Sequence, residues 1–478
     1  MIRIYLDWNV ISNLKKPEYA EIAQFTRENK EYLQFPYSPV HFNDLMKSYS
    51  PQNEYFFKDL ETLQYLSEKH LLRWEDDRTM PLFVTPREYF EGEKGKEDAV
   101  LLMDMDRILS DLDKASQDYG IGKVGDLLKS LYKSVPCGIE INAENKGILQ
   151  NMFPNINPNS SMWDMIKDMA PFSKRLLRDR DYYRNLRRTI GEGGFKVDVN
   201  SGNWNEEVVF ERINTFLTKM HAGKTFFQYV EMISNHQKRP INRHRFFTTA
   251  YLLLDMIGYK SDKLPKPTDN MQNIYNDAEH AFYGAHCDFF VASDRNLLTK
   301  ARVLYRELNI STVVMSPQNY IVSLESVIHK LPRSAPELFQ DVIKHIEQNN
   351  VVESYPDEEI ETYVVKLPVF YLNFFNYVIY QSFKDQNLIC FTCKRVFKNY
   401  SDFIYFSESE RIIDCLVKLL GCNNLEDYNK QKEEFVYKKT DTKFIWHFKD
   451  GKIILGKDEE THWPVMTLVL ETNEASDL

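Results

Sequence analysis

Apolar and polar positions follow two different periods along this chain, and the switch between them outlines its organisation. The first fifty residues read as strand, helix, strand, helix. An apolar run covers Arg3 to Leu6 and a second covers Tyr32 to Pro36; Ser38 and Pro39 then suit the N-cap and first position of a helix. From about Gly92 to His236 the apolar positions recur at helical spacing, as in Ala99–Leu112. Turns rich in Gly, Asn and Pro, such as NMFPNINPNSS, break that stretch. The mixed pattern returns at Arg245 with the helix FFTTAYLLLDMIG, a loop holding Pro265 and Pro267, and a helix from about Asn270 to Ala285. The strand CDFFVA follows, then a helix over Asn296–Leu308 and a strand over Ile310–Met315. After about Leu331 come aromatic strand-like runs, TYVVKLPVFYLNFF, and a strand-rich tail, FIWHFKDGKIILG and PVMTLVLET.

Alternating strands and helices predict a parallel sheet flanked by helices. The expected architecture is an α/β domain in two parts, residues 1–90 and 241–325. A mostly helical insertion, 91–240, separates them, and an α+β domain, 332–478, follows. In such sheets the carboxyl ends of the strands gather at one edge, where sites form.

That edge would collect four carboxylates. Asp7 follows the first strand, with Asn9 two residues on, and Asp294 follows CDFFVA. Asp44 lies on the helix after the second strand, and Asp277 on the helix before CDFFVA, with His280 one turn later on the same face. Carboxylates crowded in one cleft repel unless a cation neutralises them, and all-oxygen ligands favour Mg²⁺ or Mn²⁺ over zinc. Such an ion polarises a phosphoryl oxygen and acidifies a bound water, the chemistry of phosphodiester hydrolysis. Each acid also has a structural alternative. Asp7 could cap a helix near Val10, Asp294 could cap the one before Leu297, Asp44 and Asp277 could be solvated, and Asp288 could orient its strand. A phosphatase of the haloacid-dehalogenase type would need a second Asp where Asn9 stands, because that residue works as a general acid.

D-x-N after the first strand, Ser38 with Asp44 six residues later, and DAEHAFYGAHCDFFVASD together resemble the motifs of PIN-domain ribonucleases. In the last stretch a helix Asp stands seventeen residues before the strand-end Asp, and Ser316–Pro317 resembles the domain's close. The resemblance covers about residues 1–60 and 245–322. It implies a PIN-like fold and a metal-dependent nuclease, RNA favoured, with Asp7, Asp44, Asp277 and Asp294 as metal-holding catalytic residues. Asn9, His280 and Ser293 would orient ligands or water. The chain departs from the pattern in having Asp44 in place of the usual Glu, and Ala292 with Ser293 in place of the usual Thr. A degenerate module that binds RNA or a protein partner is the competing expectation.

Composition bounds these readings. The net charge of −10 argues against a protein that coats nucleic acid over its whole surface, yet leaves room for a local basic groove. Two basic stretches qualify. Residues 173–188 carry Lys174, Arg175, Arg184, Arg187 and Arg188, and residues 237–245 carry Lys238, Arg239, Arg243 and Arg245. Their alternative is a solvated helix face with internal ion pairs. Six cysteines without a dense framework fit a reducing cytoplasm, and no signal-peptide layout or membrane span is expected. Cys390 and Cys393 resemble half a zinc knuckle, but Cys415 and Cys422 are spaced wrongly for the other half; free buried thiols are expected, with Cys137 and Cys287 in the core. The extra domains suggest a specialised nuclease, such as a bacterial stress or phage-defence effector, with a regulatory partner or a homo-oligomer.

Overall fold

The computed structural model describes residues 1–75, 78–94, 105–118, 123–138, 141, 146–194, 196–197, 203–234, 242–264, 266, 269–348, 351–356, 360–383, 386–422, 424–438 and 440–471. The chain is mixed α/β, with a four-stranded parallel sheet and a separate antiparallel one. The parallel sheet has the order β2 (Leu33–Gln34), β1 (Ile2–Leu6), β5 (Phe289–Val291), β6 (Val313–Met315), taking strand numbers in chain order. Every residue of β1 is buried, because helices cover both faces. Alternation divides the side chains between two cores. Ile4, Leu6, Phe289 and Val291 face one. Tyr5, Phe290 and Ala292 face the other, which they share with helical residues such as Ile213, Val230 and Phe247.

A hairpin that the periodicity reading did not single out, β3 (His70–Glu75) with β4 (Arg78–Phe83), continues this sheet beyond β2. It is joined through Tyr37, whose N–H donates to the His70 carbonyl and whose carbonyl accepts from Leu72. The middle of the chain is helical where it is described: Met105–Asp118, Val124–Ser134, Lys146–Met152, Met162–Arg178, Arg180–Glu192, Val209–Lys219 and Phe226–Ser234. The start of the expected Ala99–Leu112 helix, and the prolines of the 265–267 loop, lie outside the described residues.

The C-terminal part is a seven-stranded antiparallel sheet, in the order β11 (Phe444–Phe448), β12 (Gly451–Lys457), β13 (Pro464–Glu471), β10 (Leu388–Lys394), β9 (Phe375–Phe383), β8 (Ile360–Tyr371), β7 (Val351–Pro356). Its own core takes Leu338 and Val342 from the helix Ala335–Glu347, Ile412 and Leu416 from Phe406–Leu420, and Phe435 from Leu425–Tyr437. The run TYVVKLPVFYLNFF is thus one strand, a tight turn at Leu372 and Asn373 with positive φ, and the start of the next strand.

All six cysteines are free. Cys393 belongs to the C-terminal core, and Cys390, three residues away on the same strand, points to the opposite face. Two thiols on opposite faces of one strand cannot ligate a single ion. Cys415 and Cys137 are half-buried and Cys422 is exposed, so burial of these three is less complete than expected. Elemental analysis is therefore expected to find no stoichiometric zinc; one equivalent per chain would contradict this geometry.

Among the described residues, no helix is long and apolar enough to cross a membrane.

Candidate functional site

The strand register brings the carboxyl ends of β1 and β5 together. Leu6 pairs with Val291, and the Asp7 N–H donates to the Val291 carbonyl at 2.9 Å. The chain then turns into the helix Trp8–Asn13, but the Asp7 side chain makes no cap hydrogen bond to it. The capping alternative therefore fails for Asp7. The residue is 1% exposed, and Oδ2 is buried without a hydrogen-bond partner. Burial raises its carboxyl above the ordinary range; His280 opposes that shift and Asp44 adds to it, while the Asn9 amide favours the ionised form.

Asp44 sits in the last turn of the short helix Pro39–Leu45. Its Oδ2 accepts from His280 Nε2 at 3.0 Å, and its Oδ1 accepts from Lys47 Nζ at 2.7 Å and Asn276 Nδ2 at 2.8 Å. Burial works the other way, but His280 and Lys47 hold its carboxyl well below the usual range. His280, on the helix Met271–Gly284, is fully buried, yet Asp44 and Asp7 outweigh burial and raise its pKa. Its Nδ1 lies 3.0 Å from the Tyr5 hydroxyl, which lies 2.6 Å from Ser38 Oγ. His41 completes this polar layer as a neutral ring. Burial lowers its pKa to about 3, its Nε2 faces the Leu6 carbonyl at 2.9 Å, and its Nδ1 accepts the Ser38 N–H at 3.0 Å. Tyr5 and His41 thus set the orientation of His280 from beneath.

Asp277 lies one turn before His280 and lines a pocket of about 560 Å³ together with Asn9, Asp44 and Asp294. Burial, then the charges of Asp262 and Asp7, push its carboxyl well above the ordinary range. Asp294 is exposed, and its Oδ1 caps the helix Arg295–Glu307 by accepting from the N–H groups of Asn296 (2.7 Å) and Leu297 (2.9 Å). Its capping alternative is realised, even though the residue also lines the pocket. Ser293 Oγ is 3.1 Å from the Tyr19 hydroxyl and is exposed. Asp288 has a structural role: it accepts the Arg3 N–H at 2.8 Å and holds the buried Arg395 guanidinium at 2.5 and 2.6 Å.

Periodicity did not single out a further acid, Asp262. It lines the same pocket, and burial raises its carboxyl. Behind it stands Lys300, fully buried, 3.5 Å from Asp262 and 3.4 Å from Asp255. One signal was available. In NLLTKARVLYREL, Lys300 falls on the apolar stripe of Leu297, Ala301 and Leu304, where a solvated lysine has no place.

The basic stretches divide. Arg187 is locked, donating to Asp255 Oδ2 at 3.0 Å and to the Asp262 carbonyl at 2.8 Å. Arg187→Ala is expected to cost about 1–3 kcal/mol, because it strips a charged hydrogen bond from a fully buried carboxylate; a denaturation midpoint equal to the parent's would refute this. Arg175 lies over the Tyr182 ring at 5.1 Å, and Lys174 is exposed. Arg184 and Arg188 are exposed, with only loose pairing to Asp181 (4.0 Å) and Glu192 (3.7 Å). Arg243 and Arg245 lie in the first turn of the helix Arg243–Met256, about 18 and 15 Å along its axis from Asp255. Lys238 and Arg239 lie outside the described residues.

Among the described residues, no group of three or more His, Cys, Asp or Glu side chains is preformed to hold a metal ion. Asp7 Oδ1 lies 3.6 Å from His280 Nε2, so Asp7 shares that imidazole with Asp44, while Asp277 makes no ion pair among the described residues and is flanked by Asp262 and Asp294. Two carboxylates plus waters suffice for Mg²⁺, so the donor set and the unpartnered Asp7 Oδ2 fit a hard divalent cation. No protein-family model, no curated protein and no solved structure matches this chain.

Proposed function

We propose that this chain is a PIN-like nuclease that hydrolyses phosphodiester bonds with Mg²⁺ or Mn²⁺, RNA being the favoured substrate. The observation that carries the reading is the buried, unpartnered carboxylate oxygen of Asp7 at the end of β1, beside Asp277. Asp7 and Asp277 would hold the ion, with Asp262 and the free oxygen of Asp294 at the rim. The ion supplies charge for the phosphoryl oxygen and a more acidic water. His280 neutralises Asp44 and fixes its position, so that the pocket does not carry every acid unbalanced. Asn9 supports the ionised form of Asp7.

One observation favours the second reading, a non-catalytic binding module: Asp44 is already satisfied by His280 and Lys47, and Asp294 caps its helix. Incubating the protein with labelled single- and double-stranded RNA and DNA, in Mn²⁺ or in EDTA, separates the two. The nuclease reading expects metal-dependent cleavage abolished by EDTA. Binding with no cleavage in any metal would establish the module.

A further inference from the structure

A second pocket backs directly onto the acidic one. It has a volume of about 420 Å³, and its charged lining is Arg184, Arg187, Arg188 and Lys196 against Glu192 and Asp255. Four cations against two carboxylates give a local excess of two positive charges in a chain whose net charge is −10. That excess runs against the whole-molecule trend, so the background charge does not account for it.

The pocket is built rather than incidental. The Lys196 stem passes between Gly191 and Gly258: a Cβ at Gly191 would stand 3.4 Å from Lys196 Cδ, and one at Gly258 would stand 3.2 Å from its Cγ. Gly258 also has φ of +93°, a conformation that L side chains rarely adopt, so this tight turn and the lysine slot need the same glycine. Arg187 forms the wall, held by Asp255 and by the Asp262 carbonyl. Arg184 and Arg188, half-exposed or more and weakly paired, keep donors free for a ligand.

The two pockets share one partition. Asp255 lines the basic pocket and Asp262 the acidic one, and the Asp262 N–H donates to Asp255 Oδ1 at 2.8 Å. Lys300 Nζ lies within 3.5 Å of both carboxylates. Met256, Gly258 and Ser261 face one side, and the segment from Asp262 to Leu264 faces the other.

We propose that the basic pocket binds a phosphate group of a single nucleic-acid strand, one that flanks the phosphodiester presented to the acidic pocket. The inference rests on the nuclease reading for the second pocket's role, but the binding itself can be tested separately. Arginine and lysine donors around a concave floor are the usual partners of strand phosphates. A cavity of this size admits a phosphate with its sugar.

The test compares the parent with Arg184→Gln/Arg188→Gln/Lys196→Gln, which spares the locked Arg187. Binding of a labelled single-stranded RNA is measured in EDTA across a salt series, and the Mn²⁺-induced shift in melting temperature is recorded in parallel. The expected result is an affinity loss of at least about tenfold and a log–log salt slope shallower by about 2 for three lost contacts, with an unchanged Mn²⁺ shift. An unchanged affinity and slope, or a parent that fails to bind at micromolar concentration, overturns the proposal. Absence of the Mn²⁺ shift from both proteins would defeat the metal reading alone, and the pocket would still be decided by the affinities.

Discussion

Glu408→Ala is expected to destabilise the protein by about 3–5 kcal/mol, the cost of leaving a buried guanidinium without its counter-ion. Arg3, in the centre of the β1 run IRIYL, is 0% exposed, as is Glu408. Its Nε and Nη2 donate to the Glu408 carboxylate at 2.8 and 2.6 Å, and Ser401 Oγ and the Phe403 carbonyl each accept one further N–H. The rings of Phe397, Phe403 and Tyr405 surround the guanidinium at 4.7–5.0 Å. This pair fastens the C-terminal domain to the first strand of the parallel sheet, next to a second buried pair, Arg395 with Asp288. Burial alone would raise the Glu408 pKa, but Arg3 outweighs it and lowers the value from 4.5 to about 2. A depressed carboxyl contributes stability that is present above about pH 4.5 and is lost as pH falls toward 2. The parent should therefore weaken through that window more steeply than Glu408→Gln. Denaturant melts at pH 7 and pH 3 would check both points, and a Glu408→Ala midpoint equal to the parent's would contradict them.

The residues that make up this lock show where sequence reading stops. The strand-helix alternation of β1, β2, β5 and β6 was legible because each strand is a short apolar run with a helix start behind it. The carboxyl-edge acids were legible for the same reason: a charge directly after a buried strand is conspicuous. Arg3 was not, because one charge inside a buried run looks like a strand residue facing solvent until a partner 405 positions later is placed beside it. Asp262 escaped in the same way, since its partner Lys300 is tertiary, and Lys300 left only the trace of a charge on an apolar stripe. The spacing of the acids could not show that Asp44 is engaged by His280 and Lys47, or that Asp294 spends one oxygen on a helix cap. The basic run 173–188 looked uniform in sequence, yet burial separates a structural Arg187 from the exposed Arg184 and Arg188.

The largest effect on function is expected at Asp7 and Asp277. Asp→Asn keeps the shape of the side chain and removes the charge that would attract a cation. Either substitution is expected to reduce metal-dependent cleavage to background. In metal-free buffer both variants should be at least as stable as the parent, because burial and like charge already hold these carboxyls above the ordinary range, so their ionised forms are strained near neutrality. A purely structural role predicts the opposite on both counts, with parental activity and reduced stability. Asp288→Asn is a poor control, since it would disturb the Arg395 pair; the exposed Asp111 serves better.

Mn²⁺ binding followed by electron paramagnetic resonance decides whether the end of β1 holds a cation, since it reads the ion itself and needs no substrate. Saturable binding is expected in the parent and in Asp111→Asn, and its loss in Asp7→Asn and Asp277→Asn. Equal binding by all four proteins, or no binding by the parent, would contradict a metal site at the end of β1.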